Sequence, residues 1–280
     1  MQRFEELSSA LRLRARRSAR AADNKPAKVP IGDSSAKTFR ILCFHGFVQN
    51  GDILKQKTGS LRRAMKGCEF IFLDAPHSAA GAFQEETAAE KQEVLAQAAA
   101  SEGVGPRGWW VSGENARKQQ GEAWVRPAQS YACVGFEEGM ACAREAAVRA
   151  CEDGQQIHGV LAFSQGCAVA TCLLREAQLD EGHPLSSVNL AILVGGFVPR
   201  DPETAAYLHG DVLQVHSLHV SGANDLLVPK LRSEALAALF DSSTSTWFEH
   251  PGGHGIPTGT GLFKQDLQAL LQRALRDSQS

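Results

Sequence analysis

Val160-Leu161-Ala162-Phe163-Ser164-Gln165-Gly166-Cys167-Ala168 holds the residue best placed for chemistry. An apolar run stops at a serine, and a run of small residues begins directly after it. That is the setting of the nucleophile elbow G-x-S-x-G, where a serine sits on a tight turn between strand and helix. Small residues two before and two after the serine let the strand and helix pack closely. Ala162 stands where the motif has its first glycine, and Gly166 supplies the second. The N–H of Gln165, at the helix start, points toward a developing oxyanion with the helix dipole behind it. Read alone, the segment also fits a serine that only caps a helix.

A serine nucleophile needs a base, and the base needs an orienting carboxylate. In α/β-hydrolases these follow in the chain order Ser, acid, His. After Ser164 comes His219-Val220-Ser221-Gly222-Ala223-Asn224-Asp225, which puts Asp225 in the loop behind a strand. His250-Pro251-Gly252-Gly253-His254 again follows a strand and supplies His254. Strand C-termini are where sites gather in parallel sheets. The second oxyanion donor belongs to a loop after an early strand. His45-Gly46-Phe47 fits, with the Phe47 N–H as donor and Gly46 permitting the turn.

The elements that must carry these residues are legible as alternating runs. Phe39 to Phe44 reads as a buried strand, and a helix capped by Asp52 runs to about Met65. Glu69 to Leu73 is a second strand. A long segment, about 77 to 127, reads as an insertion or lid. It contains a helical-looking stretch from Thr87 to Ala100, and Trp109, Trp110 and Trp124. Tyr131 to Cys151 reads as a helix, Gly159 to Phe163 as a strand and Gln165 to Ala177 as a helix. Leu190 to Val194 and Leu218 to Ser221 follow as strands. A helix over Ser233 to Phe240, a strand over Thr246 to Glu249 and a closing helix over Leu262 to Leu275 complete the series. Strands alternating with helices give an α/β class: a mostly parallel sheet with helices on both faces.

Length and composition agree. The chain has 280 residues, 43% hydrophobic and 21% charged, enough for one large α/β domain. A net charge of -2 offers no bulk attraction to nucleic acid or anionic membrane. No apolar run approaches the ~18 residues that span a bilayer. The 7 cysteines are odd in number, and none has C-x-x-C spacing, so they read as reduced thiols in a reducing compartment. Residues 1–37 differ from the rest, with Arg3, Arg12, Arg14, Arg16, Arg17 and Arg20 ahead of a polar stretch. They read as a flexible or partly helical extension. Their arginine and serine also suit an organelle transit peptide, against which Glu5, Glu6 and Asp23 count. The corresponding location is the cytoplasm, with organelle targeting as the alternative.

Taken in order, several segments resemble the FSH family of serine hydrolases within the α/β-hydrolases. They are Leu42 to Gly51, Phe72-Leu73-Asp74-Ala75-Pro76-His77, Gly108-Trp109-Trp110, Phe163-Ser164-Gln165-Gly166, the Asp225 loop, and His250 to Thr258. The resemblance covers most of the chain from Thr38 onward. It implies Ser164, Asp225 and His254 as a triad. It implies hydrolysis of small acyl esters or thioesters with no metal or organic cofactor. Family members include carboxylesterases and enzymes that release acyl chains from polyketide synthases. Ala162, the arginine-rich extension and the insertion from Phe83 to Pro106 depart from the family pattern.

Rival readings are an acyl-protein thioesterase, which shares Phe-Ser-Gln-Gly, and a ligand-binding homologue without chemistry. His216-x-x-His219 has a metal-like spacing, but strand alternation sends the two side chains to different faces. Cys43 and Cys167 lie in apolar elements and read as buried and inert. His158 and His77 have no second partner visible in sequence. His45, Trp109 and Trp110 are candidates to contact substrate. For the two tryptophans, packing an insertion onto the body is an equal reading. The oligomeric state is open. Removing residues 1–37 is expected to leave folding and ester hydrolysis intact, measured by turnover and thermal melting of the truncated chain.

Overall fold

The computed structural model describes residues 38–79, 105–113 and 128–277. The 1–37 extension, the Thr87 to Ala100 helix and Trp124 lie outside the described residues. Six parallel strands form the central sheet: β1 (Phe39–Phe44), β2 (Cys68–Phe72), β7 (Gly159–Phe163), β8 (Leu190–Val194), β9 (His216–Gly222) and β10 (Ser245–His250). Their spatial order is β10-β9-β8-β7-β1-β2. The chain thus starts in the middle, steps out to β2, and returns to the other side of β1. The switch point lies between β1 and β7, where sites form in open parallel sheets.

Both faces of this sheet are covered. Along β8, Ala191 and Leu193 join one core, while Leu190, Ile192 and Val194 join the other. Successive strand side chains alternate faces, so burial on both sides demands an unbroken apolar run. Helices α3 (Phe136–Ala150) and α4 (Gln165–Leu179) cover the first face, joined by Leu236 of α6 (Lys230–Ala237). The second face is covered by α1 (Gly51–Lys57), α2 (Gly59–Ala64) and α7 (Gly261–Asp277), through Leu54, Leu61, Phe263, Leu267 and Leu270. Each such side chain, fully buried, contributes about 1.5–3 kcal/mol against exposure. A short helix α5 (Pro202–Ala206) follows β8.

Between β2 and α3 the chain makes two small antiparallel ladders. One pairs β3 (His77–Ser78) with β4 (Arg107–Gly108), and the other β5 (Val111–Ser112) with β6 (Cys133–Val134). Residues 105–113 are thereby tied to the body at both ends.

Two expected helices change most here. The single helix from Asp52 to Met65 is two helices, α1 and α2, separated at Thr58. The cap is Asn50, whose side chain accepts the Ile53 N–H at 2.8 Å, while Asp52 lies exposed in the first turn. Thr58 turns its hydroxyl back onto the Leu54 carbonyl at 2.7 Å and ends the first helix. The helix expected from Tyr131 begins only at Phe136, because Cys133 and Val134 pair with β5 and Gly135 takes a left-handed φ of 81°. Among the described residues, no helix is long and apolar enough to cross a membrane.

His219 on β9 is buried against Phe240, with ring centroids 4.9 Å apart. Burial lowers its pKa from 6.5 to about 3, and lowers that of fully buried His45 to about 4. Both stay neutral in the fold and bind a proton on unfolding below pH 6.5. Stability is therefore complete above 6.5 and declines as pH falls toward 4, then toward 3 for His219. Each histidine contributes a slope of about 1.4 kcal/mol per pH unit. Urea unfolding across this window should show the loss, and His219→Gln should reduce the slope by one histidine's share.

Candidate active site

Ser164 follows β7 directly and takes φ 53°, ψ −118°. A non-glycine residue with positive φ is strained, and such strain gathers at functional turns. The turn is held from several sides. The Ser164 N–H donates to the Val194 carbonyl at 2.8 Å. A Cβ on Gly166 would lie 2.5 Å from the Phe44 carbonyl oxygen and 2.6 Å from that of His45. Only glycine lets α4 sit this close to the exit of β1. Ala162 is fully buried, and the elbow forms with alanine in place of glycine.

Asp225 and His254 come to Ser164 on the loops after β9 and β10. A Cβ on Gly222 would lie 2.3 Å from the Gly253 carbonyl oxygen, so these loops touch. Ser164 Oγ lies 2.8 Å from His254 Nε2, and His254 Nδ1 lies 2.6 Å from Asp225 Oδ2. The carboxylate accepts the Nδ1 proton, which leaves Nε2 free to accept the serine proton. The other carboxylate oxygen accepts the N–H groups of Leu227 at 2.9 Å and Val228 at 2.8 Å. Burial raises the carboxyl pKa of Asp225. The hydrogen bond and charge of His254, with these two N–H groups, outweigh it and hold the pKa below the ordinary value. Asp225 is thus kept ionised against the imidazole. The His254 ring also lies on Phe163, with centroids 4.9 Å apart.

The loop after β1 passes beside the serine. A Cβ on Gly46 would lie 3.2 Å from Ser164 Cβ. The loop closes with the Gln49 N–H donating to the Gly46 carbonyl at 3.2 Å, and Val48 takes a left-handed φ of 58°. Phe47 and Gln165 flank Ser164 on a cavity of about 380 Å³. Its walls are mainly apolar, with Val48, Phe163, Phe197, Leu227 and Ile256 among them. Both size and lining suit a small ligand.

The structure places His45, Trp109 and Trp110 behind this cavity rather than along it. All three are fully buried. His45 Nε2 accepts the Ala75 N–H at 3.0 Å and Nδ1 donates to the Gly46 carbonyl at 2.7 Å, which defines a neutral tautomer. Trp109 packs on Phe44 and His45. Trp110 meets Phe197 edge-on, one layer behind the wall. Packing, the plainer of the two readings of these tryptophans, is what the geometry supports.

His216 and His219 are separated, His216 bonding Asp277 on α7 and His219 bonding Ser217. Among the described residues, no group of three or more His, Cys, Asp or Glu could hold a metal ion. Cys43 and Cys167 are fully buried, and burial pushes both thiols well up. Sequence reading missed Val48, Phe197, Leu227 and Ile256. Val48 carries a contrary signal, since β-branched residues disfavour positive φ. The apolar run Leu226-Leu227-Val228 directly after Asp225 was the one available hint.

The serine hydrolase (FSH1) family model matches residues 34–265. The chain belongs to this family. Esterase OVCA2 of Danio rerio is 35% identical over 242 residues, covering 85% of this chain and 99% of that protein. Esterase OVCA2 of Homo sapiens is 31% identical over 250 residues, covering 86% and 99%. Among solved structures, esterase PE8 aligns with a TM-score of 0.54 at 18% identity, covering 86% of this chain and 94% of that one. Zea mays acyl-protein thioesterase 2 aligns at 0.51 and 18%, covering 88% and 97%. These two likenesses show the α/β-hydrolase fold, as the resemblance in sequence implied.

Gly166→Ala should disrupt the elbow. The added methyl meets backbone on two sides, so α4 must move away from β1. We expect a loss of about 2 kcal/mol or more in stability and a larger loss of ester turnover. Denaturant unfolding and a chromogenic-ester assay on the same preparation measure both.

Proposed function

We propose that this protein hydrolyses a carboxylic ester or thioester through an acyl-enzyme on Ser164. One observation carries the reading: the unbroken hydrogen-bonded line from Ser164 Oγ through His254 to the buried Asp225 carboxylate. Membership of a serine hydrolase family and relatives named esterases support it.

In the first half-reaction His254 Nε2 takes the Ser164 proton as Oγ attacks the carbonyl carbon. Asp225 holds the imidazole tautomer and stabilises the imidazolium. The N–H groups of Phe47 and Gln165 are the proposed oxyanion donors, with the α4 dipole adding to the latter. His254 then gives its proton to the leaving alkoxide or thiolate. In the second half-reaction His254 activates water, which cleaves the acyl–serine ester. The apolar cavity beside Ser164 favours an apolar acyl or alcohol portion.

A fluorophosphonate probe tests this reading. Label is expected on Ser164 in the parent chain and absent from Ser164→Ala, whose turnover should fall by about a millionfold. Labelling of another residue, or undiminished labelling of Ser164→Ala, overturns the assignment. A panel of esters and thioesters graded by chain length then defines the acyl group.

A further inference from the structure

The Gln165 side chain has no part in the chemistry just described, yet it is almost fully buried beside the nucleophile. Its Oε1 accepts the Trp109 N–H at 2.8 Å, and its Nε2 donates to the Trp110 carbonyl at 2.9 Å. One side-chain amide thus clasps the backbone of two consecutive residues. The same Trp109 sends its indole N–H to the His45 carbonyl at 2.9 Å. Trp109 is therefore bonded to both chain segments that flank the serine, one at Gln165 and one at His45.

Its neighbours lie along the same loop. The Arg107 N–H donates to the Gln49 carbonyl at 2.7 Å. A Cβ on Gly108 would lie 2.7 Å from the Phe47 ring, so that ring rests on the glycine. From behind, α3 leaves no slack, since a Cβ on Gly139 would lie 2.1 Å from the Trp109 carbonyl oxygen. Residues 107–110 form a strap that contacts Gln49, Phe47, His45 and Gln165.

We propose that the Gln165 side chain and the Trp109 indole are positioning residues that set the spacing of the two oxyanion donors. The proposal rests on the esterase reading above. The Phe47 N–H hangs on the β1 loop, and the Gln165 N–H begins α4. The strap is bonded to both, so it fixes the distance across which an oxyanion must be gripped. Donors displaced by a fraction of an ångström weaken a charged transition state more than a neutral ground state.

Gln165→Met keeps length and volume but removes both bonds to the strap. Trp109→Phe removes the indole bond to His45 and part of the buried ring packed on Phe44, but leaves both Gln165 bonds. We expect kcat to fall about 10- to 100-fold in the first and less in the second, with KM within about twofold. The affinity for a trifluoromethyl ketone, whose serine adduct carries the oxyanion, should fall in parallel with kcat/KM. Affinity for the matching non-fluorinated amide should not change. A kcat within about twofold of the parent, or loss of both affinities together, overturns the proposal.

Gln165→Glu supplies a second test on a near-isosteric chain. Its ionised carboxylate faces the Trp110 carbonyl without a proton to donate, whereas the protonated acid restores that bond. Burial raises a carboxyl pKa at such a position, to about 8–9 in documented cases, so the ratio of variant to parent kcat should rise as pH is lowered from about 10 to about 5. A ratio independent of pH across that span overturns the proposal. Fluorophosphonate labelling separates the two levels: an unlabelled Ser164 in the parent removes the esterase reading as well, while normal labelling with unaffected variants removes only the positioning role.

Discussion

Gly166 lies so close to the end of β1 that a Cβ there would sit 2.5 Å from the Phe44 carbonyl oxygen. That contact joins the first turn of α4 to the exit of β1 at the point where the strand order reverses. Everything at the site is arranged around it. Ser164 stands at its edge, the loop carrying Phe47 emerges from one side, and the Gln165 N–H from the other. The sheet makes the contact possible because β1 and β7 are neighbours and run parallel, so both deliver their C-termini to the same edge.

Strain at this edge is offset by the packing around it. Two non-glycine residues among those described take positive φ, Val48 and Ser164, and both line the same cavity. Such conformations cost on the order of 1–3 kcal/mol each. They persist because fully buried neighbours on both faces of the sheet leave the backbone no alternative. The electrostatics follow the same logic. A buried carboxylate at Asp225 is costly alone, and two backbone N–H groups with one imidazole hold it ionised.

Much of this was legible from residue order. The bounds of β1, β7 and β8 match the expected runs because these central strands are apolar on both faces and end abruptly. The outer β9 and β10 are longer than expected, since His216, Ser217, Ser245 and His250 do not look like strand interior. The α1–α2 break was not legible, because Thr58 ends a helix through a hydroxyl bond to the Leu54 carbonyl that composition does not announce. Cys133 and Val134 left the expected helix because a ladder partner from residues 111–112 claimed them. Local propensity yields when pairing elsewhere satisfies more backbone groups.

The sequence by itself determined the α/β alternation, the family, and the chain order of Ser164, Asp225 and His254. Those follow from short-range patterns: apolar period, small residues around a turn, and loops placed after strands. Tertiary structure alone decided which groups meet and which only support them. It put His45, Trp109 and Trp110 behind the cavity and brought Phe197, Leu227 and Ile256 to its wall. It also joined Trp109 to Gln165 across 56 positions of chain. The physical reason is that a contact between distant segments depends on where the sheet's edges and loops converge. A tryptophan has the same signature in sequence whether it faces a substrate or the back of the loop that does.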